Sequence, residues 1–114
     1  IGAAHAVGAR VLVDGAQAVA HMPVEFDATD ADFYAFSGHK VHAVGGIGVL
    51  LGKPDLLAAL PPVLLGANAF DEFTIERGIL AASPGRFEGG TINVAGAASI
   101  AAAASRARAA GARP

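Results

Sequence analysis

The sequence predicts an α/β fold with a mostly parallel sheet flanked by helices, and four observations carry that prediction. Val11-Leu12-Val13 is a short, continuously apolar run between Arg10 and Asp14, the pattern of a strand buried on both faces of a parallel sheet. Asp32-Phe33-Tyr34-Ala35-Phe36 is a second, aromatic-rich run ending at Ser37-Gly38. The stretch from Gly15 to Ala31 between them is long enough for a crossover to a parallel neighbour. Asn93 to Ala110 is a long alanine-rich helical pattern that stops at Gly111 and Pro114.

The remaining elements follow in order. Ile1 to Val7 reads as the last turns of a helix closed by Gly8. Ile47 to Leu51, between Gly46 and Gly52, is a third strand-like run. Lys53-Pro54-Asp55 opens a short helix through Leu60, with Pro54 in its first turn and Pro61 and Pro62 ending it. From Val63 to Gly85 the pattern is mixed, with only an extended piece at Phe70 to Ile75. The final helix is almost all alanine, which predicts close packing against a neighbour.

Composition narrows the function. The 114 residues allow one domain at most. With 8 Lys+Arg against 10 Asp+Glu the net charge is -2, and no run of like charge exceeds two residues, so no nucleic-acid footprint is present. The absence of cysteine excludes a disulfide framework, a thiolate metal site and a cysteine nucleophile supplied by these residues. No apolar stretch approaches the roughly 20 residues that span a bilayer, so a soluble, cytoplasmic protein without a membrane partner is expected. The 15 glycines and 28 alanines make an unusually small-residue sequence. It begins with Ile1 and breaks off in helical pattern at both ends, which suggests a segment of a longer protein.

Open sheets of this class bind ligands beyond the carboxyl ends of their strands, where Asp14, Gln17, Ser37, His39 and Lys40 all fall. Lys40 is one of only two lysines, and it sits in F-S-G-H-K directly after an aromatic strand. A strand-end lysine beside glycine, serine and histidine suits an amine that forms a Schiff base, although a lone loop lysine is more often a surface residue. An aspartate buried at the end of the preceding strand needs a cationic or hydrogen-bonding partner, and Asp14 equally fits a turn-forming Asp-Gly cap. Gln17 could hydrogen-bond a ring hydroxyl. Ser37 and His39 flank Gly38 in a tight turn that could hold a phosphate, or serve the turn alone.

Four blocks then carry a family resemblance: V-D-G-A-Q-A-V-A-H-M-P-V (Val13 to Val24), D-F-Y-A-F-S-G-H-K (Asp32 to Lys40), G-I-G-V-L-L-G-K (Gly46 to Lys53) and R-F-E-G-G-T-I-N (Arg86 to Asn93). Together, in this order and spacing, they resemble the class V aminotransferase family, most closely its SUF-type cysteine desulfurases. The resemblance implies a pyridoxal 5'-phosphate enzyme of fold type I and a cysteine-like amino-acid substrate, converted to alanine with enzyme-bound sulfur. It makes Lys40 the lysine that binds the cofactor covalently and moves protons at the substrate. It sets Asp14 at the pyridine nitrogen, Gln17 at the ring hydroxyl, and Ser37 and His39 on the phosphate side. Thr91 would reach the phosphate of the neighbouring subunit, which implies a homodimer with shared active sites, and a sulfur-acceptor protein is a possible partner. His21 and Asp32 match family positions of structural character. No metal site is implied.

Residues 1–114 would then be part of the large, cofactor-binding domain, without its N-terminal portion and without the small C-terminal domain that carries the carboxylate-clamping arginine and the sulfur-accepting cysteine. Such a segment is expected to show negligible turnover alone. Val41-His42-Ala43-Val44-Gly45-Gly46 replaces the family's aromatic residue and Gly-Pro after the lysine, Leu65-Gly66 replaces a glycine pair, and Ile92 replaces a proline. These departures leave open a class V aminotransferase, a selenocysteine lyase-like enzyme, or a non-catalytic remnant of the fold. An unrelated nucleotide-binding domain is disfavoured because neither G-x-G-x-x-G nor a Walker loop follows a strand.

Overall fold

The computed structural model describes residues 1–109. They form two units, one of residues 1–52 with the C-terminal helix from Asn93, the other of residues 53–92.

The first unit begins with α1 (Gly2–His5), after which the chain turns off at Gly8 with φ +77°. Strands β1 (Leu12–Asp14), β2 (Phe33–Ser37) and β3 (Gly48–Gly52) form a three-stranded sheet in that order. β1 and β2 are parallel, pairing Val13 with Tyr34 and Asp14 with Ala35. The crossover between them holds α2 (Phe26–Thr29) and a helical turn at Ala18–Ala20.

β2 and β3 are antiparallel, pairing Ser37 with Gly48, so the sheet is mixed where the sequence predicted a mostly parallel one. The reason is length. Only residues 38–47 join the two strands, and a parallel return needs a crossover of a dozen residues or more. β1 also departs from expectation. It lies at the edge of the sheet, and Leu12 is 57% exposed rather than buried on both faces.

The centre of this unit is Tyr34, 3% exposed, with the buried Gly15 against its ring; Ala31 is buried too. A Cβ on Gly15 would overlap the Tyr34 ring, so glycine is required where β1 ends. Gly15→Ala is expected to destabilise the protein by about 1–3 kcal/mol, read from its denaturant midpoint, because ring and backbone must part to admit the methyl group.

α4 (Val94–Ala109) follows the predicted helix, whose expected stop at Gly111 and Pro114 lies outside the described residues. It packs on the turn that follows β2, as its small-residue composition predicted. A Cβ on Gly38 would come within 2.8 Å of Ile47 and 3.1 Å of Ile100, and one on Gly96 within 3.0 Å of Ile47. The two glycines thus let helix and turn approach closely.

In the second unit, α3 (Pro54–Ala59) starts with proline in its first turn, and a Cβ on Gly66 would overlap the Gly89 carbonyl. β4 (Phe70–Phe73) and β5 (Gly78–Leu80) form an antiparallel hairpin that extends the single predicted strand at Phe70 to Ile75. Thr74 organises its turn, with Oγ1 accepting from Arg77 N at 3.1 Å. The Arg77–Glu72 ion pair across the hairpin, at 2.7 Å, is exposed and adds little.

Candidate active site

Asp14 is the last residue of β1 and Ser37 the last of β2. Because the strands are parallel, both carboxyl ends open on the same edge, and the helical turn after β1 packs against the turn Gly38–Val41 after β2. The backbone is continuous up to that edge: Gly15 N donates to Ala35 O at 2.8 Å, one step beyond the last strand pair.

Asp14 is exposed at this edge. Its Oδ1 accepts from Ala16 N at 3.0 Å, the Asx-turn that the Asp-Gly pair predicted. The carboxylate serves the turn with one oxygen, and the other has no hydrogen bond among the described residues. Gln17, also exposed, starts the helical turn Ala18–Ala20.

On the neighbouring strand end, Ser37 is half-buried and leads into the turn, His39 is exposed, and Lys40 is half-buried. Lys40 has no hydrogen-bond or ion-pair partner for its ammonium group among the described residues. A half-buried lysine whose amine stays unpaired differs from a fully exposed solubilising lysine. The turn itself is well fixed: Gly38 N donates to Ile47 O at 2.9 Å and Ala43 N to Gly38 O at 3.0 Å.

Asp14, Gln17, Ser37, His39 and Lys40 therefore share one edge of one unit. Thr91 belongs to the other unit, exposed at its end, just after Gly90, whose carbonyl accepts from Asn68 Nδ2 at 2.7 Å. Among the described residues no group of three or more His, Cys, Asp or Glu is placed to hold a metal ion, and no helix is long and apolar enough to cross a membrane.

At the opposite ends of the same strands lies an anchor whose strength the sequence did not reveal. Asp32 is 1% exposed, and its Oδ2 accepts from Val11 N at 2.8 Å and bonds His5 Nε2 at 2.9 Å. Arg10 Nη1 approaches Oδ1 at 3.6 Å. Asp32 N and Phe33 N in turn donate to Val11 O, each at 3.0 Å. This exchange sets the β1–β2 register, and a slip of one residue would send Asp14 to the other face of the sheet. The anchor gives Asp32 a structural part, while His21 stands exposed at the end of the turn after β1.

A mixed α/β sheet whose parallel strands β1 and β2 end at Asp14 and, one turn on, at Lys40 has the ligand-binding edge typical of open α/β enzymes. The chain belongs to the aminotransferase class-V family, whose model matches residues 1–113. It is 54% identical over 94 residues to a cysteine desulfurase of Dickeya dadantii, covering 82% of this chain and 23% of that one. It is 50% identical over 103 residues to a probable cysteine desulfurase of Vibrio cholerae, covering 90% of this chain and 26% of the relative. The crystal structure of the cysteine desulfurase CsdA from Escherichia coli superposes with a TM-score of 0.90 at 42% identity, over 94% of this chain and 27% of that one. The fold is thus a partial fold type I architecture, and the chain spans about a quarter of the length of these relatives.

Family membership implies pyridoxal phosphate, and the residues present fit it. The site edge offers an unpaired half-buried amine, a carboxylate with a free oxygen, an amide, a hydroxyl and an imidazole. These are the donor and acceptor types that an aldehyde, a ring nitrogen, a ring hydroxyl and a phosphate require.

Proposed function

We propose that this chain is the lysine-bearing part of the large domain of a cysteine desulfurase, which converts L-cysteine to L-alanine and hands the sulfur to an acceptor protein. The observation that carries the reading is Lys40, half-buried and unpaired among the described residues in the turn after β2, whose parallel neighbour β1 ends at Asp14. The desulfurase relatives support the substrate class. The sulfur-accepting cysteine would come from outside residues 1–114, which hold no cysteine, and the family resemblance places the arginine for the substrate carboxylate outside them as well.

Pyridoxal phosphate, when bound, supplies an electron sink for the pair released as a bond at the substrate's α carbon breaks. Lys40 Nζ would hold the cofactor and carry a proton to and from the substrate carbons. Asp14, with Oδ1 engaged by Ala16 N, would face the ring nitrogen with its remaining carboxylate oxygen and hold a proton there. The Gln17 amide orients the ring through its hydroxyl, and Ser37 and His39 hold the phosphate. Thr91 completes the phosphate site of a second subunit, which makes the working enzyme a homodimer.

The test is turnover of L-cysteine by the full-length protein containing this segment. Alanine and sulfide in equal amounts are expected with a reducing thiol present. A keto acid formed instead would identify an aminotransferase, and no consumption of any amino acid would leave a non-catalytic member of the fold. Asp14→Asn keeps the acceptor for Ala16 N–H but loses the charge. It is expected to lower kcat by about 10²–10³-fold while leaving the unfolding midpoint unchanged.

A further inference from the structure

Asn93 closes the fourth family-like block and stands immediately before α4. Its two amide atoms point to different tasks. Oδ1 accepts from Gly96 N at 2.9 Å, a cap on the first turn of the helix. Nδ2 donates to Gly46 O at 3.2 Å, in the loop that leads from Lys40 to β3. Further along α4, Ser99 Oγ accepts from Val44 N at 3.1 Å and donates to Gly96 O at 2.8 Å. The capping residue and a side chain of one helix thus grip backbone groups two residues apart in the same loop.

The loop needs holding. It contains both positive-φ residues of this region, His42 at 67° and Gly46 at 81°. It joins directly onto the Lys40 turn, closed at its base by Gly38 N to Ile47 O, with Ile100 of α4 against Gly38. The Lys40 amine has no partner of its own among the described residues, so its position depends on the backbone beneath it.

We propose that Asn93 and Ser99 are positioning residues for Lys40: by gripping Gly46 O and Val44 N they fix the loop that sets where Nζ is presented to the cofactor. The inference rests on the reading of Lys40 as the cofactor-binding lysine. The double use of Asn93 makes it testable. Asn93→Asp keeps an acceptor for Gly96 N–H and has no donor for Gly46 O, Asn93→Ser keeps a capping hydroxyl but loses the amide N–H that bonds Gly46 O, and Asn93→Ala loses both functions.

The experiment uses the full-length protein loaded with pyridoxal phosphate. It measures kcat and KM for L-cysteine, the unfolding midpoint, and the rate at which the lysine–cofactor absorbance band forms when cofactor is added to the cofactor-free protein. For Asn93→Asp and Asn93→Ser, kcat and the rate of band formation are expected to fall about tenfold, with KM within about twofold and the unfolding midpoint held. Ser99→Ala is expected to move the same two rates in the same direction. Wild-type kcat and band formation in both cap-keeping variants would overturn the inference, as would losses that appear only in Asn93→Ala together with a lowered midpoint. A wild-type protein that takes no borohydride-fixed cofactor on Lys40 would overturn the reading of Lys40 and this inference with it. A labelled wild type with unaltered cap-keeping variants would overturn the inference alone.

Discussion

Lys40→Ala in the full-length protein is expected to abolish L-cysteine turnover, with kcat reduced by about 10⁴-fold or more. Lys40 is one of only two lysines, and Lys53 belongs to the other unit at the start of α3. Among the described residues of the first unit, Lys40 is the one lysine. The loss should be purely chemical. The Lys40 ammonium has no partner among the described residues, so its removal is expected to change stability by no more than about 0.5 kcal/mol. Lys40→Arg sharpens the comparison, since a guanidinium keeps the charge and the stem but is not a nucleophile at neutral pH, and it should be as inactive as alanine. Retention of even a hundredth of wild-type kcat in either variant, measured as alanine released, would contradict the assignment.

Asp32→Ala is expected to have the largest effect on stability, about 2–4 kcal/mol, and to act far from the chemistry. The carboxylate is 1% exposed, and its loss leaves Val11 N–H and His5 Nε2 without the oxygen they share. It also removes half of the exchange with Val11 that fixes the β1–β2 register. Asp32→Asn keeps one carbonyl oxygen for Val11 N–H and should cost clearly less. The check is the denaturant midpoint of the two variants against wild type. A change below about 0.5 kcal/mol for Asp32→Ala would show that the anchor contributes nothing net. Activity per folded molecule should fall less than stability, because Asp14 and Lys40 stay in place wherever the sheet is formed.

Much of this architecture was legible because it depends on local chemistry. The apolar run at Val11-Leu12-Val13, the aromatic run ending at Ser37 and the proline at the start of α3 each specify an element through side-chain patterning or a fixed φ. The strand-end placement of Asp14, Gln17, Ser37, His39 and Lys40 followed once two adjacent parallel strands were read. What escaped depends on partners distant in sequence. The antiparallel return of β3 is set by the short 38–47 link, and the exposure of Leu12 by the edge position of β1, neither visible in periodicity. The β4–β5 hairpin was only half seen because its turn is made by Thr74 rather than by an Asn-Gly or Asp-Gly pair. Asn93 and Ser99 gave no sequence signal beyond a helix start and a serine in an alanine run, since their partners Gly46 and Val44 lie 47 and 55 residues away.

The most direct test of the central claim is the site of covalent attachment. The full-length protein is loaded with pyridoxal phosphate, reduced with borohydride, digested, and its peptides are weighed by mass spectrometry. The reduced cofactor is expected on Lys40, within the peptide that carries F-S-G-H-K, and to be absent from the Lys40→Ala protein. Cofactor attached at Lys53, or at no residue of this chain, would contradict the account.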